Sequence, residues 1–118
     1  MEVKKTVANF STKHPVVDVE ISNDIEIHRW DYSKGEISVA GFFVDNEIIQ
    51  FMLKNKSNLN KFQKEIMEML TTLDGRKLHA FNIRMETGCF SNLLGNSPQF
   101  HEIMPFSGRG SNKEYHFK

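Results

Sequence analysis

The sequence predicts an α/β domain built on a mixed sheet, with three antiparallel strands extended by a parallel strand and helices packed against them. Three observations carry this prediction. Apolar residues alternate at period two over Val16 to Glu20, and two further strand-like runs flank Asp45-Asn46. The period then changes to that of a helix between Leu59 and Leu73. A short apolar run, Leu78 to Ile83, follows that helix. A helical crossover of this kind joins strands that lie parallel in one sheet, which makes the sheet mixed.

Residues 1–15 read as a polar lead-in ending at Pro15. In Val16 to Glu20, Val17 and Val19 alternate with Asp18 and Glu20. The alternation continues through Ile21, Ile25 and Ile27 to His28, as one long strand or as a short strand followed by an extended segment, with Asn23 and Asp24 favouring a break. A turn is expected over Asp31 to Gly35. Glu36 to Val44 and Glu47 to Leu53 read as a hairpin closed by Asp45-Asn46. Ser57 or Asn58 can cap the helix that carries Leu59, Phe62, Ile66, Leu70 and Leu73 on one face, and Gly75 suits its end. Met85 to Leu94 reads as a second helix stopped by Gly95 and weakened by Gly88. Residues 96–118 read as an irregular tail.

The chain has 118 residues, the length of one domain, with 39% hydrophobic and 25% charged residues. Lys plus Arg equal Asp plus Glu at 15 each, so net charge argues neither for nor against a nucleic-acid partner. The single cysteine, Cys89, excludes an intramolecular disulfide and a four-cysteine zinc site. Met1 to Phe10 lacks the apolar core of a signal peptide, and no apolar run approaches the ~20 residues of a membrane span. The expectation is a soluble cytoplasmic protein with no membrane partner.

Period two places Asp18 and Glu20 on one face of their strand. Two hard oxygen ligands so placed suit Mg²⁺ or Mn²⁺ rather than zinc. A metal held by carboxylates can activate water for in-line phosphoryl displacement. The alternative is that both acids belong to the wet face of a half-buried sheet.

Val16-Val17-Asp18-Val19-Glu20 resembles the first motif of the DEDD 3′–5′ exonucleases, a branch of the ribonuclease H-like superfamily. In that family an Asp-x-Glu closes the first strand, and a hairpin, a helix and a strand with an Asn-containing second motif follow. His79-Ala80-Phe81-Asn82-Ile83-Arg84-Met85-Glu86 resembles that second motif, with Asn82 at the strand end and a carboxylate four residues on. Phe90 matches an apolar position after the family's acid. The resemblance covers roughly residues 15 to 95. It implies a ribonuclease H-like fold and a two-metal site of Mg²⁺ or Mn²⁺. By it, Asp18, Glu20 and Glu86 are the metal ligands and catalytic residues, and Asn82 positions the loop or the substrate strand. Ile21 stands where the family has a Thr that contacts the substrate terminus.

The chain departs from the family in having Glu86 for Asp and Ile21 for Thr, and no Asp follows Glu86. The family's last helix, with its Tyr or His and final Asp, has no counterpart. His101-Glu102 corresponds to the start of the family's next strand, and His116 lies in a tail too short for the missing helix. The resemblance implies a metal-dependent 3′–5′ exonuclease-like domain acting on single-stranded DNA or RNA. The alternatives are a non-catalytic ribonuclease H-like module that binds nucleic acid or a protein partner, and a fragment of a larger nuclease.

The remaining residues read as structural. His14, His28, His79, His101 and His116 are scattered without zinc spacing. Cys89 and the phenylalanines Phe42, Phe43, Phe51, Phe62, Phe81 and Phe90 read mostly as core. Ser107 to Lys113 is Gly-rich and basic but lacks phosphate-loop spacing, and reads as a solvated loop. The hairpin arm from Ile48 to Leu53 reads as an edge through which the chain could self-associate.

Overall fold

A computed structural model describes residues 1–103. The basic stretch Ser107 to Lys113 and His116 lie outside the described residues. Strands β1 (Glu2–Val7), β2 (Val16–Ile21), β3 (Ile37–Val44), β4 (Glu47–Met52), β5 (Leu78–Ala80) and β6 (Phe100–Glu102) form one sheet in the order β1-β4-β3-β2-β5-β6. The first three pairings in that order are antiparallel, and β5 and β6 join in parallel beside β2. Helices α1 (Leu59–Thr72) and α2 (Ile83–Leu94) are the crossovers into β5 and β6. The sheet is therefore mixed and the architecture α/β, as its period changes predict.

Burial follows the alternation. Val17 and Val19 of β2, Ala40 and Phe42 of β3, and Phe51 of β4 share one core with Phe62 and Ile66 of α1 and Cys89 and Phe90 of α2. Both helices thus cover the same face of the sheet. The other face carries the opposite parity, Asp18 and Glu20 among it.

Several expectations are corrected. The polar lead-in contains β1, which pairs along the whole of β4 from Glu2 opposite Met52 to Val7 opposite Glu47. Every residue of β1 is exposed, so its strand state comes from backbone pairing rather than from a buried side of its own. Because β1 takes that position, the hairpin arm Ile48 to Leu53 is not a sheet edge. The alternation past Ile21 is neither a long strand nor an extended segment. The register shifts between Glu20 and Ile21, β2 ends at Ile21, and Ile25–His28 forms a 3₁₀ turn. Asp24 caps that turn by accepting from the Glu26 amide at 3.0 Å, a local bond that outcompetes strand pairing. The expected turn over Asp31 to Gly35 is a second 3₁₀ element, Tyr32–Lys34, capped by Asp31.

The hairpin has its expected two-residue turn, with Asp45 at φ 56°. The residue before α1, Asn58, makes no side-chain cap; Asn55 instead caps a preceding 3₁₀ turn, Lys56–Asn58. β5 is shorter than the apolar run suggests, because Phe81 is exposed and Asn82 begins α2. The irregular tail contains β6, paired to β5 from Phe100 opposite Leu78 to Glu102 opposite Ala80. Gly88, which weakens a helix in isolation, is required where it stands. A Cβ there would lie 2.6 Å from Tyr32 Cβ and 2.7 Å from its carbonyl carbon.

Candidate functional site

Asp18 and Glu20 project from the middle and end of β2 onto the face that the helices leave open, and both are exposed. β2 lies between β3 and β5, so the pair stands near the centre of the sheet. β5 reaches β2 only at its start, where His79 is opposite Val16. Beyond that point the chain leaves β5 through Phe81 and Asn82 and enters α2.

Asn82 is the N-cap of α2, and its Oδ1 accepts from the Met85 amide at 3.2 Å. Its place in the fold is to fix where the helix begins. One turn later comes Glu86, which is 2% exposed and the one buried charged side chain among the described residues. Its spacing puts it on the face of α2 that carries Cys89 and Phe90. Burial pushes the Glu86 carboxyl up to about 7, and the nearby Asp18 carboxylate pushes in the same direction. The backbone amides of Glu86 itself, Val19 and Asn82 act the other way. Among the described residues, Glu86 Oε1 has no hydrogen-bond partner. An orphaned carboxyl oxygen in the core costs stability unless something else satisfies it.

The three acids are thus placed unequally. Asp18 belongs to the open face and Glu86 to the helix side, and the Asp18 carboxylate adds to burial in raising the Glu86 carboxyl. Glu20 shares the face of Asp18. No group of three His, Cys, Asp or Glu side chains among the described residues converges as a ready metal cage. The donors are all carboxylates, which suits a hard cation. Ile21, the substrate-contact position of the resemblance, is half-buried and packs against the core. Cys89 is fully buried, and burial, with Glu86 adding to it, raises its thiol to about 11. It is a packing residue and not a nucleophile.

Sequence reasoning missed two groups around this site. Arg29 and Trp30 both hold positive φ, 56° and 62°, after the first 3₁₀ turn, and Trp30 is 53% exposed. Trp30, Tyr32, Ile83 and Arg84 line a cleft of about 420 Å³ at the start of α2, and the Arg84 guanidinium stands 5.9 Å from the Tyr32 ring centroid. The Asp31 side chain that caps the turn gives this segment a sequence signal; the αL pair has none.

The second group is a row of histidines. His14 and His79 stack with ring centroids 4.8 Å apart and 16° between planes, and His79 and His101 follow at 5.5 Å and 32°. Residues that read as scattered are brought together because the segment before β2, β5 and β6 lie side by side. The register is the missing information, and no spacing within the chain encodes it.

Among the described residues, no helix is long and apolar enough to cross a membrane. Comparison with protein-family models, curated proteins and solved structures finds no match to this chain.

Proposed function

We propose that this chain is a metal-dependent phosphodiester hydrolase domain of ribonuclease H-like type, acting on nucleic acid from the 3′ end. The observation that carries the reading is the buried Glu86, whose Oε1 has no partner among the described residues and whose carboxyl is raised by burial and by the Asp18 carboxylate. Natural cores keep such a carboxyl rarely, and perturbed acids next to a like charge are enriched at functional sites. The strand order supports the same reading. Asp18 and Glu20 stand on the strand that is flanked by an antiparallel hairpin on one side and a parallel strand on the other. Glu86 stands in the first turn of the helix that leaves that parallel strand.

Asp18 and Glu86 are the residues that would hold Mg²⁺ or Mn²⁺; Glu20 stands two residues on, on the face of Asp18, and does not complete a three-ligand group among the described residues. A cation so held supplies an activated water and offsets charge on the phosphate. The chain's own groups do the rest. Burial pushes the Glu86 carboxyl up to about 7, and a cation bound beside it would draw it into the ionised form that a ligand needs. Asn82 holds the first turn of α2, and with it Glu86, in place against β2.

A specific observation favours a second reading, a ribonuclease H-like module that binds without cleaving. No three His, Cys, Asp or Glu side chains converge among the described residues. Degradation of a 5′-labelled single-stranded oligonucleotide in Mn²⁺ separates the two. The hydrolase reading expects a ladder of shortened products that Asp18→Asn abolishes. An intact oligonucleotide with the folded protein, or a ladder that survives Asp18→Asn, overturns it.

A further inference from the structure

We propose that the stacked imidazoles of His14, His79 and His101, with Lys13, Arg76 and Lys77 around them, form a track for single-stranded nucleic acid on the open face of the sheet. The placement comes from register. Leu78 and Ala80 are buried in the core, so His79 between them faces the open side. His79 is opposite Val16 on one side and opposite His101 on the other. Val16 precedes Asp18 by two residues on the same face, about 7 Å along the strand. The histidine row therefore lies one strand away from the acidic pair on one continuous surface.

The chemistry of the row matches an unpaired strand. His79 Nδ1 lies 3.1 Å from the Lys77 carbonyl oxygen. A carbonyl oxygen only accepts, so Nδ1 carries the hydrogen and the ring is fixed with Nε2 free. His14 and His101 are the ends of the row, and each has a ring face not stacked on another aromatic among the described residues. An exposed aromatic face is a sequence-tolerant seat for a base once that base is out of a duplex. The surroundings are cationic. Lys13, Lys77 and Arg76 act on His14 together with His79. At the end of the row, Arg76, Lys77, Gln99 and His101 rim a cleft of about 410 Å³ whose inner wall is Leu70, Leu73 and Leu78. Among the described residues, the acids at this end include Asp45, which holds Arg76 at 3.2 Å, Asp74 on the cleft wall and the exposed Glu102 next to His101. Bases on rings and phosphates on cations are the two contacts that single-strand binders combine.

The inference rests on the hydrolase reading for the direction in which the strand runs, but binding itself requires no cleavage. The test is fluorescence anisotropy of a short 5′-fluorescein oligothymidylate in EDTA, where hydrolysis is silent. Wild-type protein is expected to bind with an affinity that falls steeply as salt rises. His79→Ala and His101→Ala should each weaken binding about tenfold, and His79→Phe should restore most of it. Lys77→Ala, an exposed change that leaves the sheet intact, should lower the salt slope by about one. Unchanged binding in folded His101→Ala and Lys77→Ala, or equal competition by a duplex of the same length, overturns the inference. Binding without cleavage in Mn²⁺ would remove the hydrolase reading and leave the track standing. Cleavage with unaltered KM in His79→Ala would do the reverse.

Discussion

The two faces of the sheet are built from the same strands and obey different rules. On the helix side, Val17, Val19, Ala40 and Phe42 meet Phe62, Ile66 and Phe90 in a dry core. On the open side, the intervening residues are Asp18, Glu20, Phe43 and His79, and Phe10 rests on Phe43 with ring centroids 5.2 Å apart. The difference teaches that β2 has two separable jobs. Its odd-numbered valines hold the fold, and its even-numbered acids are free to serve chemistry because no packing depends on them. Glu86 is the exception that joins the faces. It sits on the core side of α2, yet its charge is coupled to Asp18.

The largest effect should come from the core side. Phe42→Ala deletes a fully buried ring and should cost about 3–5 kcal/mol in urea unfolding. Asp18→Asn on the same sheet should change stability by less than about 0.5 kcal/mol while removing cleavage. Equal destabilisation by the two changes would break the separation of faces.

Glu86 gives a pH signature of nearly the same size. Its carboxyl rises from 4.5 unfolded to about 7 folded, so between those values the folded chain binds more protons than the unfolded chain. Stability should therefore fall as pH rises from 4.5 to about 7, by roughly 3 kcal/mol in the absence of metal. Glu86→Gln should flatten that slope and leave the variant the more stable at neutral pH. A wild-type curve parallel to that of the variant would show that Glu86 ionises freely.

Smaller effects probe how α2 is seated. Gly88→Ala must push Tyr32 away and should cost about 1–3 kcal/mol in thermal unfolding. Asn82→Ala removes a helix cap and should cost about 1 kcal/mol, with a larger loss of cleavage than of stability, since the cap also sets Glu86. Loss of stability with full cleavage would separate Asn82 from the site.

What the sequence made legible was whatever packing makes periodic. The hairpin around Asp45-Asn46, Phe62 and Ile66 of α1 and the valines of β2 bury apolar residues at the expected spacing, whereas Leu59 at the start of the α1 face is exposed. β1 was illegible because Glu2–Val7 buries no side of its own and is held by the backbone of β4. The 3₁₀ turn at Ile25–His28 was obscured by an alternation that the Asp24 cap overrides. Asp18 and Glu20 were legible as a pair. The burial of Glu86 was only hinted at, by its spacing from Cys89 and Phe90. The histidine row depends on the register of three separate segments, which no local pattern records.

On the proposed reading, Glu86 and Asp18 hold a divalent cation between them. Thermal unfolding at pH 7.5 with rising MnCl₂, for wild type and Glu86→Gln, tests it most directly. The account predicts a melting temperature that climbs with Mn²⁺ in the wild type, as binding to the folded state requires, and stays level in the variant. The same rise in both proteins, or none in either, would contradict it.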